Sequence, residues 1–260
     1  MKPQQVVKVP QLSTFLDFAP GLCISIMGAG GKATLLHRLA DELTVLGHTV
    51  VLSSTTNFHR PSYLLPEQIL LIREVPRWPE RLRELARQWN RLLVLHHDLG
   101  DDMVKGIDVA AVRKIQQQIP YAIVLLKTDG ARKRWFKAPS PSEPVIPPWS
   151  QICIMVVSVE ILGHPLTDTL VHRPEQVQRL TGLQENAPIT PEVVGTVLTH
   201  PTTYAAKIPP TARRVIYISH VQSPADLEQA RAIAACLDWS AVDCVLAGDT
   251  PTGRFYALNR

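Results

Sequence analysis

The chain has 260 residues, 45% hydrophobic and 19% charged: enough apolar material for a large core and too little charge for a disordered chain. Twenty-seven Lys and Arg against 23 Asp and Glu leave a formal charge of +4, a mild excess that does not by itself argue for nucleic acid. Four dispersed cysteines without a CxxC pair argue against a disulfide framework or a zinc ribbon and suit a reducing compartment. The longest apolar run, Ile152 to Val157, is far below a membrane span, and Asp17 and Pro20 interrupt any signal-peptide core. A cytoplasmic protein acting on no membrane is expected.

Short apolar runs alternate with amphipathic stretches. Leu22–Met27 reads as a buried strand and Lys32–Leu46 as a helix stopped by Gly47. Thr49–Leu52 is the next strand, followed by the polar run Ser53 to Asn57. Strands are expected at Gln68–Ile72, Leu92–Leu95, Ala122–Leu126 and Ile152–Val157, with a helix at Glu80–Asn90. Helices follow at Gln176–Leu180 and Glu192–Thr199, then a strand at Arg214–Ile218, a helix at Pro224–Cys236, a strand at Val242–Leu246 and an edge strand at Arg254–Leu258. Strands separated by helices favour parallel pairing through right-handed crossovers, hence an open, mostly parallel α/β sheet with helices on both faces. Five prolines between 139 and 148 form a semi-rigid loop between the two halves of the sheet. The chain, 1–260, reads as one domain with this Pro-rich loop at 138–148.

Gly28-Ala29-Gly30-Gly31-Lys32-Ala33-Thr34 lies between the first buried strand and a helix. Glycines let backbone N–H groups approach phosphate oxygens, the helix terminus adds positive partial charge, and Lys32 supplies a full charge. The strict GxxxxGK[ST] pattern is not met: Ile26 takes its first glycine position and Ala33 its hydroxyl position. Ala33 cannot ligate Mg²⁺ as that hydroxyl does, and Thr34 is rotated by ~100°. The competing reading is a plain glycine turn with a solvated lysine.

Further on come Asp129-Gly130-Ala131-Arg132 with Lys127 two residues before, Lys137-Ala138-Pro139, Glu143 to Pro147, Gly163-His164-Pro165-Leu166 and His172-Arg173-Pro174-Glu175. In this order, after the GAGGK loop, these blocks resemble the YqeC family of selenium-dependent hydroxylase accessory proteins, from about Gly21 to about Ile218. The resemblance implies a P-loop NTPase-like protein that binds ATP or GTP, with Mg²⁺ in doubt. It also implies a role in maturing the selenium or molybdenum cofactor, with an apo-hydroxylase or a cofactor-maturation protein as partner. Three positions depart from the family: Ala33 where it has threonine, Lys127 where it has glutamate, and Ser219-His220-Val221-Gln222 where it carries an NKxD-like base reader. Together they point to weak or lost hydrolysis.

Asp129, past the end of a strand, is the candidate Mg²⁺ ligand and catalytic carboxylate, the alternative being an Asp-Gly turn. Lys127 would repel a divalent cation but suits a phosphate. Arg132, Lys133, Arg134 and Lys137, with Trp135 and Phe136 between, form either an anion-binding loop or a solvated one. The resemblance favours Arg132 and Lys137 as ligand contacts, and the run is too short for nucleic acid. His172 is a candidate acid or base, or a capping residue. Thr55 and Thr56 are weaker candidates for phosphate or metal. His96-His97-Asp98 is not read as a metal site, since neighbours on a strand point to opposite faces. Arg77, Arg81, Arg83, Arg87 and Arg91 are read as the solvated face of a helix. The resulting expectation is a nucleotide-binding accessory protein. The alternatives are a pseudo-NTPase scaffold without turnover and, last, a small-molecule kinase or transferase.

Overall fold

The computed structural model describes residues 6–61 and 64–259. Its centre is a ten-stranded sheet. In chain order the strands are β1 (Val6–Val9), β2 (Cys23–Gly28), β3 (Val50–Ser54), β4 (Ile69–Leu71), β5 (Arg91–Leu95), β6 (Ile123–Lys127), β7 (Ile152–Ser158), β8 (Arg213–Ser219), β9 (Cys244–Asp249) and β10 (Arg254–Leu258). In space they run β1-β10-β9-β8-β7-β2-β6-β3-β5-β4. From β4 to β9 every pairing is parallel; β10 is antiparallel to both β9 and β1. The expected edge strand Arg254–Leu258 is therefore an inner one, because Val6–Val9 pairs along its other side and takes the edge.

The central strands are continuous apolar runs because both faces are covered. On one face Ile24 and Ile26 pack against Leu35, Leu36 and Leu39 of α2 (Lys32–Val45), which follows the short α1 (Leu12–Leu16). Each fully buried leucine contributes about 1.5–3 kcal/mol. The other face carries α3 (Trp78–Gln88), α4 (Val109–Gln118), α5 (Pro174–Thr181), α6 (Pro191–Thr199) and α7 (Pro224–Ala235). Four of these five helices place proline in their first turn, where no N–H is required, which accounts for prolines outside the 138–148 stretch. The stretch itself carries no helix or strand beyond Lys137 and links β6 to β7 across β2. No helix among the described residues is long and apolar enough to cross a membrane.

One further reading and the reason given for another need correction, and one helix was not read from the sequence. Helix α3 ends at Gln88, so Arg91 starts β5 and pairs with Asp41 instead of extending a solvated helix face. The His96 and His97 rings touch, centroids 4.8 Å apart, because His96 is a bend between strands and the alternation of a strand does not apply. Helix α4 carried its own signals, Asp108 capping the Ala111 amide at 2.7 Å and Ala111, Val112 and Ile115 on one buried face.

The chain leaves β2 outward to β3, returns to β6 on the near side, then crosses β2 to build the rest of the sheet from β7. In such sheets ligands gather outside the carboxyl ends of the strands flanking the switch, here β6, β2 and β7.

Candidate functional site

The glycine loop joins the end of β2 to α2. Gly28 has φ +97°, and a Cβ there would stand 2.2 Å from the Val156 carbonyl of β7. Gly30 has φ +77° and approaches Ser158 as closely, 2.6 Å from its Cβ. Both positions therefore require glycine. The loop amides are largely committed within the protein: Gly28 N–H donates to Asp129 Oδ2 at 3.0 Å, Ala29 N–H to the Val156 carbonyl at 2.9 Å and Gly30 N–H to the Arg134 carbonyl at 3.1 Å. The first backbone bond of α2 runs from Leu35 to the Gly31 carbonyl. The amides of the turn before it, at Lys32, Ala33 and Thr34, are those a helix leaves for an outside acceptor.

Lys32 turns inward. Its ammonium donates to the Gly28 carbonyl and lies 3.0 Å from Asp129 Oδ1, an ion pair without hydrogen-bond alignment at that oxygen. Asp129 is completely buried, two residues past β6. Its Oδ2 also meets Lys137 Nζ at 2.9 Å. Burial would raise the carboxyl's pKa, but Lys32, Lys137 and the Gly28 amide outweigh it and hold it below the ordinary range. Lys137 continues to the Gly130 carbonyl at 2.6 Å and to Glu143 Oε2 at 3.3 Å, and Glu143 pairs with Arg173 at 3.0 Å. The short parallel pairing of Phe136–Lys137 with Val171–His172 sets His172 beside Lys137. Desolvation, then Arg173, Lys137 and Arg132, lowers its pKa to about 4. At neutral pH His172 is an uncharged ring.

The motif blocks are thus one ion network. Lys137, grouped with the basic loop in the sequence, is 1% exposed and belongs to this network, because a buried Asp129 needs cations on both oxygens. Glu143 and Arg173 were quoted within their motifs but given no role; their spacing in sequence hides the contact. Tyr204, fully buried with a hydroxyl that lacks a hydrogen-bond partner among the described residues, was missed as well. A divalent cation does not fit at Asp129 as arranged: the carboxylate faces two ammonium groups, and no cluster of three metal-type ligands occurs among the described residues.

Above this network lies a cleft of about 1290 Å³ at the carboxyl ends of the strands. It is lined by the start of α2, by Thr55 to Pro61 after β3, by the loop after β6 and by His220 after β8. Seven of its lining side chains are Lys or Arg against one carboxylate, Glu143. Lys32 and Arg60 are paired with Asp129 and Asp98. Lys105, Lys127, Arg132, Lys133 and Arg134 have no carboxylate partner among the described residues. A nearly balanced chain thus concentrates positive charge in one crevice. Arg132 and Lys133 adopt φ of +48° and +61°, a conformation side-chain-bearing residues seldom take. Lys127 Nζ donates to Thr56 Oγ1 at 3.0 Å and to the Asn57 carbonyl at 2.9 Å, while Thr55 Oγ1 donates to the Val145 carbonyl at 3.1 Å. Burial, then the Lys32 charge, lowers the Lys127 pKa to about 8.

Fold and site together define a mixed α/β protein with a basic cleft at the switch point of a large, mostly parallel sheet. The model of the YqeC protein family matches residues 24–175. Over 198 residues, 75% of each chain, the sequence is 29% identical to the uncharacterized protein YqeC of Escherichia coli strain K12. The chain belongs to the YqeC family.

Proposed function

We propose that the cleft binds the phosphates of a nucleotide, ATP or GTP, in a P-loop-like manner, and that the protein serves as an accessory factor in maturing selenium-dependent molybdenum hydroxylases. The observation that carries the binding reading is the first turn of α2 opening into a crevice with five Lys and Arg that lack a carboxylate partner among the described residues. A phosphate sits at Lys32 to Thr34 rather than inside the glycine loop, whose amides are taken. Its charge partners are Lys127 and Arg132 to Arg134. Aromatic and apolar surface from Phe58, Met103 and Trp135 offers a place for the base. The maturation role, with an apo-hydroxylase or a cofactor-handling protein as partner, rests on the family resemblance. Loss of selenium from the hydroxylase in a strain lacking this protein tests it; unchanged selenium content would refute it.

The cationic setting of Asp129 favours a second reading, binding without turnover, because the carboxylate that would hold Mg²⁺ is already neutralised. Nucleotide should raise the melting temperature with or without Mg²⁺, and phosphate release should be slow or absent. A Mg²⁺-dependent ATPase or GTPase of ordinary rate would overturn this second reading.

Lys127 gives the binding reading a pH signature. Its ammonium is charged below about pH 8 and loses its charge as pH rises through that value. Nucleotide affinity should therefore fall on passing from pH 7 to pH 9, by roughly tenfold if one charge-assisted contact is lost. Lys127→Met should bind weakly at both pH values and lose the part of the fall that Lys127 contributes. A wild-type affinity independent of pH in titration calorimetry would remove Lys127 from the site.

A further inference from the structure

His220 lies in the same cleft but belongs to none of the motif blocks. It follows β8 with φ +61°, and its ring stands beside the amino terminus of α2, Cε1 3.8 Å from where a Cβ on Gly31 would be. A histidine in the left-handed region costs backbone strain that the surroundings must support. Here the support is a set of contacts to one ring nitrogen. Nδ1 is 2.8 Å from Ser158 Oγ, 3.2 Å from Ser219 Oγ and 3.4 Å from Glu160 Oε2.

Ser158 Oγ can donate to Glu160 Oε2, 3.1 Å away, and Ser219 to the Gly30 carbonyl. With the hydroxyls donating there, each offers Nδ1 a lone pair, the third partner is a carboxylate that only accepts, and Nδ1 then carries the proton. In the neutral ring Nε2 is then an unprotonated acceptor, with no partner among the described residues. An acceptor repels an oxyanion; a protonated Nε2 donates to one.

We infer that His220 is a phosphate-contacting residue that takes up a proton when the anion binds, so that ligand binding and proton uptake are coupled at this ring. The inference rests on the cleft's binding phosphate. The anion supplies negative charge beside Nε2, and Glu160, an exposed carboxylate, stabilises the imidazolium from the Nδ1 side. Of the charged groups lining the same cleft, Lys32 of α2 is turned away to Asp129, and Arg134 lies on the loop after β6. Asp226 and Asp249 are held at Gln222, two residues on.

The test uses the full chain with inorganic tripolyphosphate as probe. Calorimetry in buffers of differing ionisation enthalpy reads the protons taken up per ligand, and ring ¹⁵N spectra read the tautomer. His220→Asn is the variant of choice, since asparagine tolerates the left-handed conformation. The wild type should show a protonated Nδ1 and a bare Nε2 when free, and both nitrogens protonated when saturated. His220→Asn should bind roughly tenfold to a hundredfold more weakly. Its proton uptake should be lower by about one proton at most, the share of a single imidazole. Proton changes of the ligand and of Lys127 are common to both proteins and cancel in that difference. Glu160→Gln, which keeps the contact without the charge, should lower the uptake while leaving Nδ1 protonated. Equal affinity and equal uptake in wild type and His220→Asn, or a free ring protonated at Nε2, would overturn the assignment and leave the cleft intact. No binding of tripolyphosphate to the wild type would overturn both.

Discussion

Asp129→Ala should destabilise the protein by about 3–5 kcal/mol, because it strands buried cations without their counter-charge. Lys32 is 6% exposed and Lys137 1%, so neither ammonium reaches solvent where it stands. Lys137 keeps Glu143 and the Gly130 carbonyl, whereas among the described residues Lys32 keeps the Gly28 carbonyl alone. Against a total of roughly 5–15 kcal/mol for a folded domain, this is a large fraction. Urea denaturation provides the measurement. Adding Lys137→Met to Asp129→Ala should cost less than the sum of the two single changes, because both act on one ion pair and couple. A loss below about 1 kcal/mol for Asp129→Ala, the range of exposed pairs, would mean that the network carries no net stability. The pH dependence follows in sign. A carboxyl held below its ordinary pKa contributes stability above pH ~4 that is lost as pH falls through the lowered value, so acid should unfold the wild type more steeply than Asp129→Ala.

Gly28→Ala should be nearly as damaging, through geometry instead of charge. The added Cβ would meet the Val156 carbonyl at 2.2 Å, backbone that cannot move without parting β2 from β7. The positive φ adds strain of its own. Strain and overpacking together amount to roughly 2–6 kcal/mol. Gly47→Ala is the control: φ is +86° there with nothing within 4 Å, so only the backbone term applies, about 1–2 kcal/mol. Equal losses at the two positions would show that β7 yields and that the close approach is not a constraint. Because Gly28 also donates to Asp129, a soluble Gly28→Ala protein should lose nucleotide binding along with stability.

The sheet was legible in the sequence where burial is symmetrical. Strands β6 and β7 are apolar up to their last residue, and β2 and β8 are apolar but for Ser25 and their end residues; a run hidden on both faces needs no partner to be recognised. Helices α2 and α7 carry their stops and caps locally, Gly47 after one and the Ser223–Asp226 capping box before the other. The short pieces were not legible. Strand β1 and the three-stranded sheet of Phe58–His59, His97–Gly100 and Met103–Lys105 are too brief for a period to show and exist only through pairing with distant segments.

The site divides in the same way. Sequence alone determined that a glycine loop with a lysine sits between a buried strand and a helix, and that polar motif blocks cluster between residues 127 and 175. These are local patterns, set by backbone freedom and by charge. Tertiary structure decided what the groups do. It turned Lys32 from the cleft toward Asp129, drew Lys137 from the basic loop into the same buried pair, and left Lys127 and Arg132 to Arg134 as the open cations. It also brought Ser158, Glu160 and Ser219 around one nitrogen of His220, residues that span two strand ends and 62 positions of chain. The physical reason is burial: which charge is desolvated, and which partner must then neutralise it, depends on packing between segments far apart in sequence, and no local pattern records that packing.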